Sequence, residues 1–141
     1  MESSSQFLEL SDEDPATIYE VFESHGWGDG LPLVPPTDKR VTEMLSHVKA
    51  SPEEVLAVLP PRGGSATYRA VAVNAVLAGC KPEYFPIVVE AVKALGSQKI
   101  NLRGVNTTTH PVAPLLIVHG RVVDELGFNS GLGTFGPGNR A

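Results

Sequence analysis

Thr67-Tyr-Arg-Ala-Val-Ala-Val-Asn-Ala-Val-Leu-Ala78 leaves almost no polar face when it is placed on a helix. A helix that is apolar on nearly all sides is buried on most of them, so this stretch predicts the central helix of the fold. Gly79 predicts its end, because glycine readily adopts the left-handed conformation that closes a helix. Asn74 is the polar residue in the middle of the run. A buried amide is costly unless it is hydrogen-bonded, so we expect Asn74 to anchor a loop such as 28–36 or to face a ligand.

Four further helices are predicted from capping residues, helix-opening prolines and apolar residues at helical spacing. Asp14 and Thr37 each precede such a pattern, and Ser51 begins a Ser-x-x-Glu capping box with a proline at its second position. The helices are expected over residues 15–26, 38–48, 51–60 and 82–96.

The last third of the chain has a different pattern, which is typical of strands. Residues 100–105 alternate, and residues 113–119 form a continuous apolar run of strand length. Residues 122–126 fit either a returning hairpin strand or a short helix. We therefore expect an α/β domain that is helix-rich in its first two thirds and has a small sheet near the C-terminus, completed by a partner chain.

The length and composition indicate one domain without a nucleic-acid or membrane surface. The chain has 141 residues, of which 42% are hydrophobic, and a formal net charge of −5. Its 11 basic residues are scattered rather than clustered, which argues against nucleic-acid binding. No run approaches the roughly 20 apolar residues that a membrane span requires. Residues 1–13 are expected to be a flexible N-terminal tail, and residues 14–141 a single α/β domain that ends in a glycine-rich loop.

The loop Asn106-Thr-Thr-Thr-His-Pro111 is the first candidate for chemistry, because loops between strands often carry binding residues. His110 is the candidate acid/base group, since a histidine can exchange a proton near neutral pH. Thr108 and Thr109 are candidates for hydrogen bonds to a substrate. The alternative is that these side chains only satisfy the amides of their own loop.

Cys80 and Asp29 are further candidates, each with a structural alternative. Cys80 is the one cysteine of the chain, which favours the reducing cytoplasm, and the neighbouring Lys81 could activate it as a nucleophile. Lone cysteines are more often small buried apolar residues. Asp29, between two glycines, is either an oriented substrate-binding acid or part of a tight turn. The four histidines and Cys80 lack the spacing of a metal site, so no metal is expected within the chain, while a metal shared between chains stays open and the cofactor is unknown.

The stretch from 126 to 141 is rich in glycine and predicts a loop that closely approaches a ligand or another chain. Asn129 and Ser130 within it are candidates for substrate hydrogen bonds, and Arg140 for holding an anionic group. No residues remain to build the helix that normally supports such a loop. We therefore expect a second polypeptide chain to provide that support.

Four sequence blocks, in order, resemble a poorly characterised bacterial family whose members lie beside, or are fused to, proteins with a UGSC selenocysteine/cysteine motif. The chain is similar to the N-terminal part of that family, and the resemblance implies an enzyme system that acts on small molecules. Similar proteins continue beyond the last block into an Asn-Ala-Thr-rich helix and a long C-terminal region. The blocks are Gly26-Trp-Gly-Asp-Gly-Leu-Pro-Leu-Val-Pro-Pro-Thr37, Ala72-Val-Asn-Ala-Val-Leu-Ala-Gly-Cys-Lys-Pro-Glu-Tyr84, Thr108-Thr-His-Pro-Val-Ala-Pro114 and Gly136-Pro-Gly-Asn-Arg-Ala141.

This resemblance leaves three explanations for the chain: a separately encoded small subunit, a fragment produced by processing, or a truncated product. The first two imply a heteromeric enzyme. The leading expectation is a cytoplasmic subunit or processed fragment of an enzyme that cleaves a carbon–heteroatom bond in a small organic molecule, by hydrolysis or elimination. The alternative is a noncatalytic binding or scaffolding subunit that supports an active site on its partner.

Overall fold

The structure, a computed structural model, describes Leu8, Leu10 and residues 14–28 and 30–134. The described part is a mixture of helices and one two-stranded antiparallel sheet, so the expected combination of helices with a small sheet is confirmed. No helix in this part is long and apolar enough to cross a membrane. The elements in chain order are α1 (Pro15–Ser24), α2 (Asp38–Leu45), β1 (Val55–Leu59), β2 (Gly64–Thr67), α3 (Tyr68–Leu77), a short 3₁₀ helix (Pro82–Tyr84), α4 (Phe85–Leu95), α5 (Leu102–Thr107) and α6 (Arg121–Leu126).

Side-chain caps set the starts of the first three helices. The Asp14 carboxylate accepts a hydrogen bond from the backbone N–H of Thr17 at 3.4 Å, and the Thr37 hydroxyl accepts one from Arg40 at 3.5 Å. The predicted starts of α1 and α2 are therefore confirmed. The Thr67 hydroxyl caps α3 in the same way. Each cap satisfies a backbone donor that has no partner inside its own helix.

The core lies where α2, α3 and α4 meet. Phe85 and Met44 are its largest fully buried side chains, and Ala72 on α3 is completely buried beside them. Burying a phenylalanine or methionine side chain contributes about 1.5–3 kcal/mol, whereas the small alanine allows the helices to approach closely. The prediction of a central helix is confirmed. The buried cluster comprises Val41, Met44, Tyr68, Val71, Ala72, Ala75, Val76, Phe85 and Val89.

Asn74 does not have the role that its position in the apolar run predicts. It is exposed, and its side-chain amide donates to the carbonyl of Ala70, one turn earlier in the same helix, at 2.8 Å. The loop 30–37 is held to α3 by a backbone bond instead, from the N–H of Val34 to the carbonyl of Leu77 at 3.0 Å. The expectation that a buried Asn74 amide anchors this loop was wrong, because α3 has a narrow exposed face that contains Asn74.

The sheet lies earlier in the chain than predicted. Residues 51–60 were expected to form a helix, but β1 forms there and pairs with β2 in the register Ala57↔Ala66, Val58↔Ser65 and Leu59↔Gly64. Two backbone bonds continue the pairing into α3: Tyr68 N–H to Glu54 O at 3.1 Å, and Arg69 N–H to Pro52 O at 2.8 Å. Pairing of an apolar, β-branched run across a short turn outweighed the local helix signal of the capping box.

The two strands predicted near the C-terminus are not part of a sheet in the described residues. Residues 102–107 form α5, which the Asn101 side chain caps by accepting from the N–H of Gly104 at 3.1 Å. Residues 113–119 have neither helix nor ladder pairing. Residues 121–126 adopt the helical alternative, as α6. Completion of the sheet by a partner chain stays a prediction.

Three contacts connect the C-terminal part to the hairpin turn and to the helical core. The Asn106 amide donates to the carbonyl of Pro60 in the hairpin turn at 3.1 Å. The Tyr84 hydroxyl donates to the carbonyl of Leu126 at 3.0 Å, and the rings of Tyr84 and Phe128 lie 5.2 Å apart. These contacts hold both ends of the region between α5 and α6.

Replacing Gly96 with alanine tests the packing of α4 on β1. A Cβ atom at this position would lie 2.6 Å from the Cβ of Ala57, too close for a real contact. We expect Gly96→Ala to lower the free energy of unfolding by about 1–3 kcal/mol, measured by urea denaturation. Gly64→Ala is the matched control, because its Cβ would meet nothing within 4 Å, and we expect a change of at most about 0.5 kcal/mol. Equal effects of the two substitutions would contradict the close approach.

Candidate functional site

The loop after α5 has some of its polar side chains bound to its own backbone. The Thr107 hydroxyl donates to the carbonyl of Arg103 at 2.8 Å, and the Thr108 hydroxyl accepts from the N–H of His110 at 3.2 Å. The carbonyl of His110 in turn accepts from the N–H of Val112 at 2.8 Å. Thr108 therefore stabilises its own turn, as the structural alternative expects.

Thr109 and His110 are the members of this loop whose side chains point outward. Both are exposed, and within the described residues neither side chain makes a hydrogen bond. An exposed imidazole can exchange protons, but a general base also needs a group that orients it and a site that excludes water. The described part of the chain supplies neither for His110. Its catalytic role stays a prediction that requires a second surface.

Cys80 occupies a structural position at the end of α3. Its N–H donates to the carbonyl of Ala75 at 2.9 Å, and the N–H of Gly79, in the left-handed conformation, donates to the carbonyl of Val76 at 2.9 Å. These two bonds form a Schellman motif, which ends the helix. Cys80 also packs against the apolar core, and burial raises the pKa of its thiol. The thiol is therefore less ionised at neutral pH than a free cysteine, which opposes activation by Lys81.

The remaining predicted residues are not gathered around this loop by any contact in the described residues. Asn129 and Ser130 are exposed and follow Phe128, whose ring stacks on Tyr84. Asp29 and Arg140 lie outside the described residues. In the described ranges, no group of three or more His, Cys, Asp or Glu side chains is placed to hold a metal ion.

An open groove of about 920 Å³ lies between α1 and α2. None of the predicted site residues within the described ranges lines it. Its walls are mainly apolar and include Phe22, and three charged side chains of α2 also line it: Lys39, Arg40 and Glu43. The Arg40 guanidinium donates to the carbonyl of Pro35 at 2.9 Å and so fixes the adjoining loop. No local pattern in the sequence predicts this groove, because its walls come from separate segments.

Residues 112–118, which we call the 112–118 segment, are the most unusual surface of the described chain. The side chains of Leu115, Leu116 and Ile117 are 70%, 57% and 76% exposed, and Val112 is exposed as well. The sequence run is uncharged. Large contiguous apolar patches are rare on monomeric proteins, and they occur at protein or membrane interaction sites, at ligand-binding grooves or at aggregation-prone surfaces. The segment directly follows the loop that contains Thr109 and His110.

No protein-family model matches this chain, and no curated protein or solved structure is significantly similar to it.

The reactivity of Cys80 tests whether its thiol is held in the neutral form. We expect iodoacetamide to alkylate Cys80 of the folded protein several-fold more slowly at pH 8 than it alkylates N-acetylcysteine, because burial raises the thiol pKa and lowers the thiolate fraction. Unfolding in urea should remove the difference. The measurement is the alkylated fraction over time by intact mass. Alkylation of the folded protein as fast as the reference would show an activated thiol instead.

Proposed function

We propose that this chain is a docking subunit of a heteromeric enzyme that cleaves a carbon–heteroatom bond in a small organic molecule. It binds a second polypeptide through the 112–118 segment and supports an active site on that partner. The observation that carries the proposal is the exposure of consecutive large apolar side chains in this segment. The resemblance implies an enzyme system that acts on small molecules, and cleavage of a carbon–heteroatom bond is the reaction class that we propose for it. The free cysteine supports a reducing, cytoplasmic setting.

The energetics favour a polypeptide as the group that covers this segment. Fully burying one leucine or isoleucine side chain contributes about 1.5–3 kcal/mol, and Leu115, Leu116 and Ile117 are each more than half exposed. Together they offer several kcal/mol of binding free energy, in the range that anchors a protein interface. A small polar metabolite could not cover a surface this long and apolar.

The position of the polar loop connects docking with catalysis. Thr109 and His110 precede the 112–118 segment by a few residues, and Asn106 fastens the start of the loop to the hairpin turn. A partner that covers the segment would therefore approach these side chains too. If this chain itself were catalytic, which is the second candidate below, the partner surface would supply the exclusion of water that the loop lacks on its own.

A charge placed in the 112–118 segment tests the docking role. We expect Leu115→Asp to release the partner from the purified assembly, because a buried carboxylate without a partner is strongly unfavourable. The thermal unfolding of the isolated chain should change little, since this side chain is 70% exposed. Leu31→Asp is the matched control, because Leu31 is similarly exposed but lies far from the 112–118 segment in the sequence. This variant should keep the partner bound. Size-exclusion chromatography with light scattering measures the masses. Retention of the partner by Leu115→Asp would contradict docking through this segment.

The second candidate function is catalysis by this chain itself, and the outward position of the His110 ring is the observation that favours it. In this second candidate, His110 would remove a proton from water during hydrolysis or from a substrate carbon during elimination. Heavy-oxygen water separates the two reactions, because only hydrolysis places solvent oxygen in the product.

A histidine substitution in the assembled enzyme decides between the two candidates. For a docking subunit, we expect His110→Gln to change turnover no more than His47→Gln, the control at an exposed histidine just after α2. A general base contributes about 10²–10⁴-fold to the rate. A fall of about 100-fold or more in His110→Gln alone, with the partner still bound, would assign proton transfer to this chain. Turnover is measured on the native assembly with a panel of esters, amides and β-substituted carboxylic acids.

A further inference from the structure

We infer that the 112–118 segment joins the open edge of a sheet in the partner polypeptide, as an added strand that pairs through the backbone of residues 113, 115 and 117. The inference rests on the proposed docking function and specifies how the partner is recognised. Its basis is the juxtaposition, in one short segment of the described residues, of a backbone without hydrogen-bonded pairing, exposed large apolar side chains and a proline.

The backbone of the segment is available for pairing. The N–H of Val112 bonds to the carbonyl of His110, but in the described ranges no N–H or carbonyl of residues 113–119 makes a hydrogen bond. Backbone polar groups need partners once an apolar partner excludes water from them. A partner that covers these side chains must therefore also satisfy the backbone, and the edge of a sheet provides a matching row of donors and acceptors.

The apolar side chains of the segment indicate a partner sheet that has other layers packed against both of its faces. Successive residues of a strand point to opposite faces, so Leu115 and Ile117 share one face, while Val112 and Leu116 share the other. All four are exposed. A strand that is apolar on both faces is typical of sheets with layers packed on each side. We thus expect the layers packed on the partner's sheet to extend beyond its open edge, so that they also bury both faces of the added strand.

The proline at position 114 selects the pairing edge. In a strand, the N–H and carbonyl groups of alternate residues point to the same edge, and proline has no N–H to donate. Pro114 therefore interrupts the edge that residues 114, 116 and 118 share. The edge of residues 113, 115 and 117 carries a complete set of donors. Pairing through this second edge leaves the proline on the outer side, where edge strands tolerate it.

A second copy of this chain fits the requirements less well than a different polypeptide. Two copies of the segment would form a two-stranded ribbon with both faces still open, which is marginal in water. The described sheet of the chain also has only two strands. Each copy has a formal net charge of −5, so two copies repel each other. We therefore take the occupant to be the open edge of a larger sheet in a different polypeptide.

Two proline substitutions test the edge assignment in the purified assembly. Ile117→Pro removes a donor from the proposed pairing edge, and Leu116→Pro removes one from the edge that Pro114 already interrupts. Both remove a branched aliphatic side chain and restrict the backbone equally. We expect Ile117→Pro to weaken binding to the co-purified partner at least about tenfold more than Leu116→Pro. Equal losses would overturn the edge assignment. Thermal unfolding of each isolated variant checks that the fold is kept.

Amide exchange on the wild-type assembly gives a second readout that needs no variant. Binding should slow the exchange of the amides of residues 113, 115 and 117 more than that of residues 116 and 118. Protection of the opposite edge, or no protection, would overturn strand addition.

The outcomes of the experiments separate the two proposals. A complex whose mass equals two copies of this chain would overturn the inference that the partner is a different polypeptide. If Leu115→Asp keeps the partner, docking itself fails. If Leu115→Asp releases it while the two proline variants behave alike, only the strand pairing fails.

Discussion

The packing of α2, α3 and α4 around Phe85 is the constraint on which the other parts of the structure depend. α3 is buried on most of its surface, so its neighbours have to approach closely, and the completely buried Ala72 makes that approach possible. β2 runs directly into α3, and Tyr84 at the start of α4 fastens α6 through a hydrogen bond to Leu126. The hairpin and the C-terminal region are thus placed by a core to which they contribute few buried side chains.

The sequence was sufficient for those elements whose signals are local. Asp14 and Thr37 set the starts of α1 and α2, and Gly79 ends α3 in the left-handed conformation, because capping depends on a few neighbouring residues. The predictions failed where contacts with residues distant in the sequence determine the secondary structure. The capping box at residues 51–54 gives a local helix signal, but the following residues 55–59 pair with 64–67. Residues 100–105 alternate, yet residues 102–107 form a capped helix. Pattern alone does not reveal which segment will meet another across a turn.

For the candidate site too, the sequence predicts the local features but not those that depend on contacts between distant residues. The sequence identified a polar loop before an apolar run of strand length, and both features are present, but it could not reveal that the run makes no ladder within the described residues. Nor could it show that Cys80 closes a helix, since that role depends on its packing against the core. The groove between α1 and α2 was equally hidden, because three separate segments form it. Exposure and burial are properties of the folded chain. Here they distinguish candidate residues that pack on the core, such as Cys80, from those that stay exposed.

The open apolar run has a consequence for how a cell must handle this protein. Extended, uncharged segments with high strand propensity nucleate cross-β fibrils when they meet copies of themselves. Pro111 and Pro114 interrupt this one and slow such growth, as gatekeeper residues do, but they leave residues 115–118 uninterrupted. A copy of the chain in which this stretch stays uncovered is therefore expected to be bound by chaperones or degraded by proteases. Under the proposed docking role, the cell would have to make the chain and its partner in matched amounts.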